Sequence, residues 1–207
     1  MRPMAGRRLF LIDGNGYIFR AYHAIPFLSN AKGLPTNAIY GFTTMLMKVV
    51  REKRPDYLAI AFDTKEKTFR HEALETYKAN RPAMPDDLSV QLPYIYKTVE
   101  AFRIPLMAQP GYEADDLIGT MALRAAAAGF DVTIVTSDKD FYQLVSPRVH
   151  LYDTMKKKVS TEADVRAKLG VEPRQVVDLM MLTGDAIDNV PGVPGIEIGR
   201  ASCRERV

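Results

Sequence analysis

Short apolar runs alternate along this chain with segments whose apolar positions recur at helical spacing, and several of the runs finish on an aspartate. Leu9-Phe10-Leu11-Ile12 leads into Asp13, Tyr57 to Phe62 into Asp63, and Val132 to Thr136 into Ser137-Asp138. Runs this short, rich in β-branched and aromatic residues, read as strands buried on both faces of a parallel sheet. Between them, Tyr17 to Ala24 and Asn37 to Arg51 read as helices, the second with Ile39, Phe42, Met45 or Leu46, and Val49 along one face. Leu88 to Phe102 is amphipathic and Ile104 to Met107 is a short strand. An alanine-rich helix spans Ala114 to Ala128, with Gly129 as its C-cap. A short helix from Lys139 and a hairpin over Val149 to Val159, turning at Met155-Lys156, complete the pattern.

Strands alternating with helices predict an α/β fold with a mostly parallel sheet flanked by helices. A small helical module follows. Thr161 and Asp164 make a capping box for a helix ending at Leu169, and Pro173 stands near the first position of a second helix ending around Thr183. Pro191-Gly192-Val193-Pro194-Gly195-Ile196 is then a stiff turn. In open parallel sheets ligands sit outside the carboxyl ends of the strands. Asp13, Asp63 and Asp138 would all reach that one edge, which marks it as a site.

The chain has 207 residues, 47% hydrophobic and 26% charged, an ordinary globular composition. No run approaches the ~18 apolar residues of a membrane span. Met1 to Arg8 is basic but leads straight into a strand, unlike a secretory signal. The single cysteine, Cys203, excludes an intramolecular disulfide and fits a cytoplasmic protein. It lies in Glu197 to Val207, which resembles translated read-through of a sequencing adapter, so the natural sequence is expected to depart after Ile196.

Nine acidic residues cluster along the chain: Asp13, Asp63, Glu113, Asp115, Asp116, Asp138, Asp140, Asp185 and Asp188. Singly, each has another explanation. Asp13 before Gly14 suits a turn, Glu113, Asp115 and Asp116 suit a helix N-terminus, and Asp138 and Asp140 could cap the following helix. Gathered at one sheet edge they would repel, by ~4 kcal/mol for each pair ~4 Å apart at an effective dielectric near 20. Either some protonate or divalent cations sit among them. With no cysteine nearby and His23, His71 and His150 in unrelated segments, the all-oxygen set favours Mg²⁺ or Mn²⁺. More carboxylates than one ion needs suggests two, the arrangement suited to phosphodiester hydrolysis. The formal net charge is +3; with these nine set aside, the rest of the chain carries +12, which suits a polyanion.

Six ordered motifs resemble a known family: Ile12-Asp13-Gly14, Ala61-Phe62-Asp63, Tyr77-Lys78-Ala79-Asn80-Arg81-Pro82, Gly111-Tyr112-Glu113-Ala114-Asp115-Asp116, Thr136-Ser137-Asp138-Lys139-Asp140, and Gly184-Asp185-Ala186-Ile187-Asp188-Asn189-Val190-Pro191-Gly192-Val193. They are similar to the 5′-nuclease domain at the N-terminus of bacterial DNA polymerase I, in the flap-endonuclease superfamily with a PIN-like (resolvase-like) core. The resemblance implies a catalytic domain over 1–170 with a helical arch at about 65–85, and over 171–196 the start of a helix-three-turn-helix module, truncated by the foreign tail 197–207. Asp13, Asp63, Glu113 and Asp115 would serve a first metal position with Asp116 beside them, and Asp138, Asp140, Asp185 and Asp188 a second. In that family the lysine and arginine matching Lys78 and Arg81 reach the scissile phosphate, and the tyrosine matching Tyr77 lies near the terminal bases. Arg70 is a further candidate for the same gateway. Gly192, Val193 and Gly195 would present backbone N–H groups to duplex phosphates, and carbonyls to K⁺.

The implied protein is a bacterial, cytoplasmic, nucleoid-associated monomer that cuts DNA at 5′ ends or flaps and removes RNA–DNA primer hybrids. The covalently linked polymerase domain of the family protein is absent here. Two other readings compete. A PIN-type ribonuclease would need neither the basic 65–85 insertion nor the glycine-proline turn. A non-catalytic binding module would have no use for nine carboxylates that repel phosphate.

Overall fold

The computed structural model describes residues 6–196; the tail from Glu197, with Cys203, lies outside them. Six strands form one sheet in the order β3-β2-β1-β4-β5-β6. They are β1 Arg8–Asp13, β2 Tyr57–Ala61, β3 Leu106–Met107, β4 Asp131–Val135, β5 Val149–Asp153 and β6 Lys158–Ser160. All neighbours pair parallel except β5 and β6, which make the expected hairpin. The three strands read as buried runs are the adjacent centre of the sheet, β2, β1 and β4. Alternate side chains serve opposite faces, the period-two geometry of a strand. Phe10 and Ile12 join Tyr17, Phe42, Leu46, Phe62, Leu88 and Ile95 in one core, while Leu9 and Leu11 join Ala114, Ile118, Ala122, Ile134, Phe141 and Val165 in the other.

The helices that cover these faces are α1 Gly14–Ala24, α2 Asn37–Lys48, α3 Phe69–Ala73, α4 Asp86–Ser89, α5 Leu92–Ala101, α6 Ala114–Ala127, α7 Glu162–Leu169 and α8 Val176–Thr183. Gly129 takes the left-handed conformation just past α6, and Thr161 and Asp164 form the capping box of α7, both as expected. Among the described residues no helix is long and apolar enough to cross a membrane.

Several elements depart from the sequence pattern. The helix expected over 37–51 is α-helical only to Lys48 and closes in a π-turn over Val49–Lys53, with Arg54 at φ 45°. Pro55 follows, and a residue before proline is excluded from the α conformation. The helix expected over 88–102 is two, because Pro93 has no N–H to continue a ladder across the break. Gln91, fully buried at that break, accepts hydrogen bonds from the N–H groups of Ala38 and Ile39 at the start of α2 and donates to Asn37 Oδ1 and Asp87 O. The elements from Lys139 and Pro173 begin as 3₁₀ turns, Asp140–Leu144 and Pro173–Gln175. The arch expected over 65–85 is helical only in α3; turns fill 75–80, Lys78 is left-handed at φ 55°, and no regular element spans 81–85, where Pro82 and Pro85 stand.

The turn after α8 is closed by a pair of backbone bonds and by the Asp185 carboxylate, which accepts the Ile187 N–H at 2.9 Å. Asp185 and Val190 exchange N–H···O bonds of 2.8 Å, and Gly184 at φ 70°, ψ −174° lies where only glycine is at ease. A Cβ on Gly184 would stand 2.5 Å from Val190 O, with no flexible side chain to yield. Gly184→Ala is therefore expected to destabilise by about 3 kcal/mol. Gly33→Ala, also at positive φ but with nothing within 4 Å, should cost only about 1 kcal/mol. Urea midpoints of the two variants check the difference.

Candidate active site

The carboxyl ends of β1, β2 and β4 carry the first acids. Asp13 ends β1 and caps α1, accepting the Gly16 N–H through Oδ1 at 2.8 Å, while Oδ2 accepts the Thr136 hydroxyl at 3.1 Å. A Cβ on Gly14 would lie 2.6 Å from Ala61 O, so glycine there lets the β1–α1 turn press against the end of β2. That contact brings Asp63 alongside. Its Oδ2 accepts from the Asn15 amide at 2.7 Å and its Oδ1 from the Ala114 N–H, the first turn of α6, also at 2.7 Å.

The start of α6 supplies three more acids. Glu113 is its N-cap, and Asp116 reaches back to the Glu113 N–H at 3.0 Å. Asp115 points into the cluster: burial pushes its carboxyl up to about 8, with the charges of Asp13, Asp138 and Asp63 adding to the effect. Burial likewise raises Asp13, and Asp138 and Asp63 contribute. From the end of β4, Asp138 accepts the Asp140 N–H at 2.9 Å. Asp140 is pushed up to about 6, first by burial and then by Asp138 and Asp185, and its buried Oδ1 makes no hydrogen bond. Asp13, expected in a turn, is the N-cap of α1. Of the two expected caps, Asp138 bonds the Asp140 N–H, but the 3₁₀ turn begins from Lys139 without a side-chain cap, and Asp140 is its first residue.

The segment after α3 lies down on these acids. Lys78 Nζ is 2.7 Å from Glu113 and 3.8 Å from Asp188, and Arg81 pairs with Asp188. Arg70 grips Asp116 with two bonds of 2.7 and 2.8 Å, holding that carboxyl below its ordinary range. The buried Tyr77 hydroxyl stands 3.0 Å from both Glu113 and Asp188. Burial and those two charges raise the phenol, so it stays a proton donor. One backbone bond and two side-chain amides stitch the same segment to the loop after α8: Lys78 N–H donates to Asp188 O, Asn80 Nδ2 to Ala186 O, and Asn189 Nδ2 to Thr76 O. Asp185 pairs with Lys139 at 3.2 Å.

All nine carboxylates thus belong to one neighbourhood, in three conditions. Asp13, Asp115 and Asp140 are half-buried acids whose carboxyls are pushed up, Asp63 and Asp138 accept amide N–H donors, and Glu113, Asp116, Asp185 and Asp188 hold cations. Among the described residues no three acids or imidazoles stand ready as one coordination shell. Lysine, arginine, amide and hydroxyl donors hold the individual oxygens instead. Asp140 Oδ1 has no hydrogen-bond partner among the described residues, Asp115 is pushed up by burial beside three other carboxylates, and the donor set is all oxygen, so the residues fit a divalent cation.

Three participants escaped the sequence reading: Asn15, Thr136 and Lys139. Their signal was adjacency, since each neighbours an aspartate at a strand end. His71, read as lying in an unrelated segment, stacks edge-on against Tyr77 at 5.3 Å and accepts the Thr68 N–H through Nδ1, completing the capping box of α3. Val193 needs correcting. Its N–H donates to Leu182 O and its carbonyl accepts from Ile196, so it is no free phosphate donor. Gly192 packs backbone-to-backbone against Thr183 and Gly184, while Gly195 is open, with nothing within 4 Å of a Cβ.

Residues 8–170 match the family described as 5′-3′ exonuclease, N-terminal resolvase-like domain. A DNA polymerase I of Rhizobium leguminosarum is 49% identical, the match covering 94% of this chain and 20% of that protein. A 5′-3′ exonuclease of Aquifex aeolicus is 44% identical over 92% of this chain and 66% of its own length. The chain thus spans a fifth of the polymerase and just under two thirds of the exonuclease. A bacteriophage T5 flap endonuclease, solved with DNA and metal ions, shares the fold at TM-score 0.78 and 22% identity, over 96% of this chain and 75% of that one. The catalytic core of Rad2 with a DNA substrate aligns at 0.61 and 18%, over 98% and 60%. With a family match over residues 8–170, most of the chain, and relatives at 44–49% identity, the chain belongs to the family of 5′-3′ exonuclease N-terminal resolvase-like domains.

Proposed function

We propose that this chain is a divalent-metal-dependent 5′ nuclease that cuts DNA at 5′ ends and flaps, including RNA–DNA primer hybrids, and leaves 5′-phosphorylated products. The observation that carries the reading is the meeting of Asp13, Asp63 and Asp138, at or just past the ends of adjacent parallel strands, with Asp115 from the first turn of α6, beneath Lys78. Asp13, Asp63, Glu113 and Asp115 would hold one cation with Asp116 beside them, and Asp138, Asp140, Asp185 and Asp188 a second, Mg²⁺ or Mn²⁺ in each case. Such ions supply the Lewis acidity that in-line phosphodiester hydrolysis requires.

The chain's own residues bind and orient. Lys78 and Arg81 now neutralise Glu113 and Asp188, so an entering phosphodiester competes for the same two cations. Once turned to the phosphate they would offset charge that grows as the bond breaks. Tyr77, held as a donor, fixes the segment that carries them. Residues 171–196 would grip duplex downstream of the cut, with Gly192 and Gly195 in its turn and K⁺ at its carbonyls.

A Mg²⁺ titration of cleavage on a 5′-flap duplex, with product ends identified, tests the proposal. The expected result is no cutting in chelator, saturable restoration by Mg²⁺, and a 5′-phosphate on the product. Undiminished cutting in chelator would refute it. Preference for matched single-stranded RNA over the flap would favour the ribonuclease reading instead.

A further inference from the structure

A second groove, of about 610 Å³, runs along the outer side of α6 and is lined by Phe69, Leu106, Met107, Tyr112, Asp116 and Met121. Phe69 and Tyr112 stand edge to face at 5.9 Å, yet are 49% and 50% exposed, so both rings present apolar surface to solvent. Their placement is fixed by backbone, since the Phe69 N–H at the start of α3 donates to Gly111 O. The groove is continuous with the acidic site, because Asp116 lines both it and the pocket formed by Asp115 and Asp140. Among the described residues Asp116 is the one charged side chain in the groove lining, and Arg70 already neutralises it. Arg70 also lies 4.6 Å over the Phe69 ring, so a cation stands at the mouth and aromatic surface lies beyond it.

We propose that this groove is the platform for the single-stranded 5′ segment of the substrate, whose bases stack on Phe69 and Tyr112 while Arg70 meets the backbone. A polynucleotide fits this chemistry: exposed aromatic faces accept any base, and beside them stands a fixed cation with no uncompensated carboxylate to repel phosphate. The inference rests on the nuclease reading and adds the path of the flap to it.

The test uses a Phe69→Ala/Tyr112→Ala variant on two substrates, a nicked duplex without a flap and the same duplex bearing a long oligothymidine flap. The expected result is a rise of about tenfold in KM on the flap, with the nick unaffected. That difference should vanish when the flap is abasic, and Phe69→Tyr/Tyr112→Phe should behave as wild type. A 2-aminopurine base in a free single strand should be quenched by the wild type and not by the alanine variant. Equal losses on nick and flap, no loss on either, a loss that persists with an abasic flap, or no quenching would each overturn the platform. So would dimerisation of the wild type that the variant abolishes, which would make the groove a contact between copies. If the wild type cuts neither substrate, the nuclease reading fails, and the quenching alone then decides for or against the platform.

Discussion

Asp115→Asn is expected to cut metal-dependent hydrolysis by about 10³-fold while making the metal-free protein more stable at pH 8. The two effects share a cause. The Asp115 carboxyl is held at about 8 in the folded chain against an ordinary 3.8, because burial and the neighbouring charges of Asp13, Asp138 and Asp63 all oppose its ionisation. Between those values the folded chain keeps a proton that the unfolded chain has released. Stability must then fall as pH rises across that window, at about 1.4 kcal/mol per unit at most. An amide in the same place carries no charge to oppose, so the penalty disappears together with the ligand. Thermal melts in chelator should show wild-type Tm declining from pH 5 to pH 8, a flatter profile for the variant, and recovery of the wild type on adding Mg²⁺. Cleavage within tenfold of wild type would place Asp115 outside the chemistry. A variant melt with the wild-type slope would mean that the buried proton belongs to another acid.

What was legible in the sequence follows from how each feature is encoded. The strands β1, β2 and β4 were readable because each is a contiguous apolar run, and a parallel sheet buried on both faces demands that. Their shared edge then placed Asp13, Asp63 and Asp138 without any knowledge of packing. The break at Gln91 was written as Pro93, yet the helical period ran across it and masked it, while the π-turn over Val49–Lys53 lay inside an unbroken apolar period. Asn15, Thr136 and Lys139 were illegible for another reason. Their importance lies in which carboxylate oxygen they touch, and that depends on neighbouring strands far away in sequence. Residues 65–85 read as a basic helical stretch, whereas in the structure helix is confined to α3 and the cations Arg70, Lys78 and Arg81 pair with acids. A segment drawn onto acids by Arg70, Lys78 and Arg81 is shaped by ion pairs, which leave no periodicity to read. Val193 shows the same limit in reverse, since a turn motif says nothing of whether its N–H is already spent on Leu182.

Lys78→Ala is expected to lower kcat by about 10²-fold at saturating Mg²⁺ and change KM for a flap duplex by less than about threefold. Lys78 is not a loosely tethered surface cation. Its backbone is left-handed and bonded to Asp188 O, its ammonium stands between Glu113 and Asp188, and the same ammonium lies 5.0 Å from the Tyr77 ring centroid. A group already paired with carboxylates gains little by exchanging one for a ground-state phosphodiester of similar charge. It gains more as charge concentrates on the phosphoryl oxygens, so the benefit falls on the transition state and appears in kcat. Lys78→Arg, which keeps the charge, should recover part of the rate, while Arg81→Ala, removing a more exposed cation, should raise KM more than Lys78→Ala does. Equal losses in kcat and binding for Lys78→Ala would mean that the ammonium merely anchors phosphate. In that case the acids at the strand ends would carry the catalysis without help from the segment that covers them.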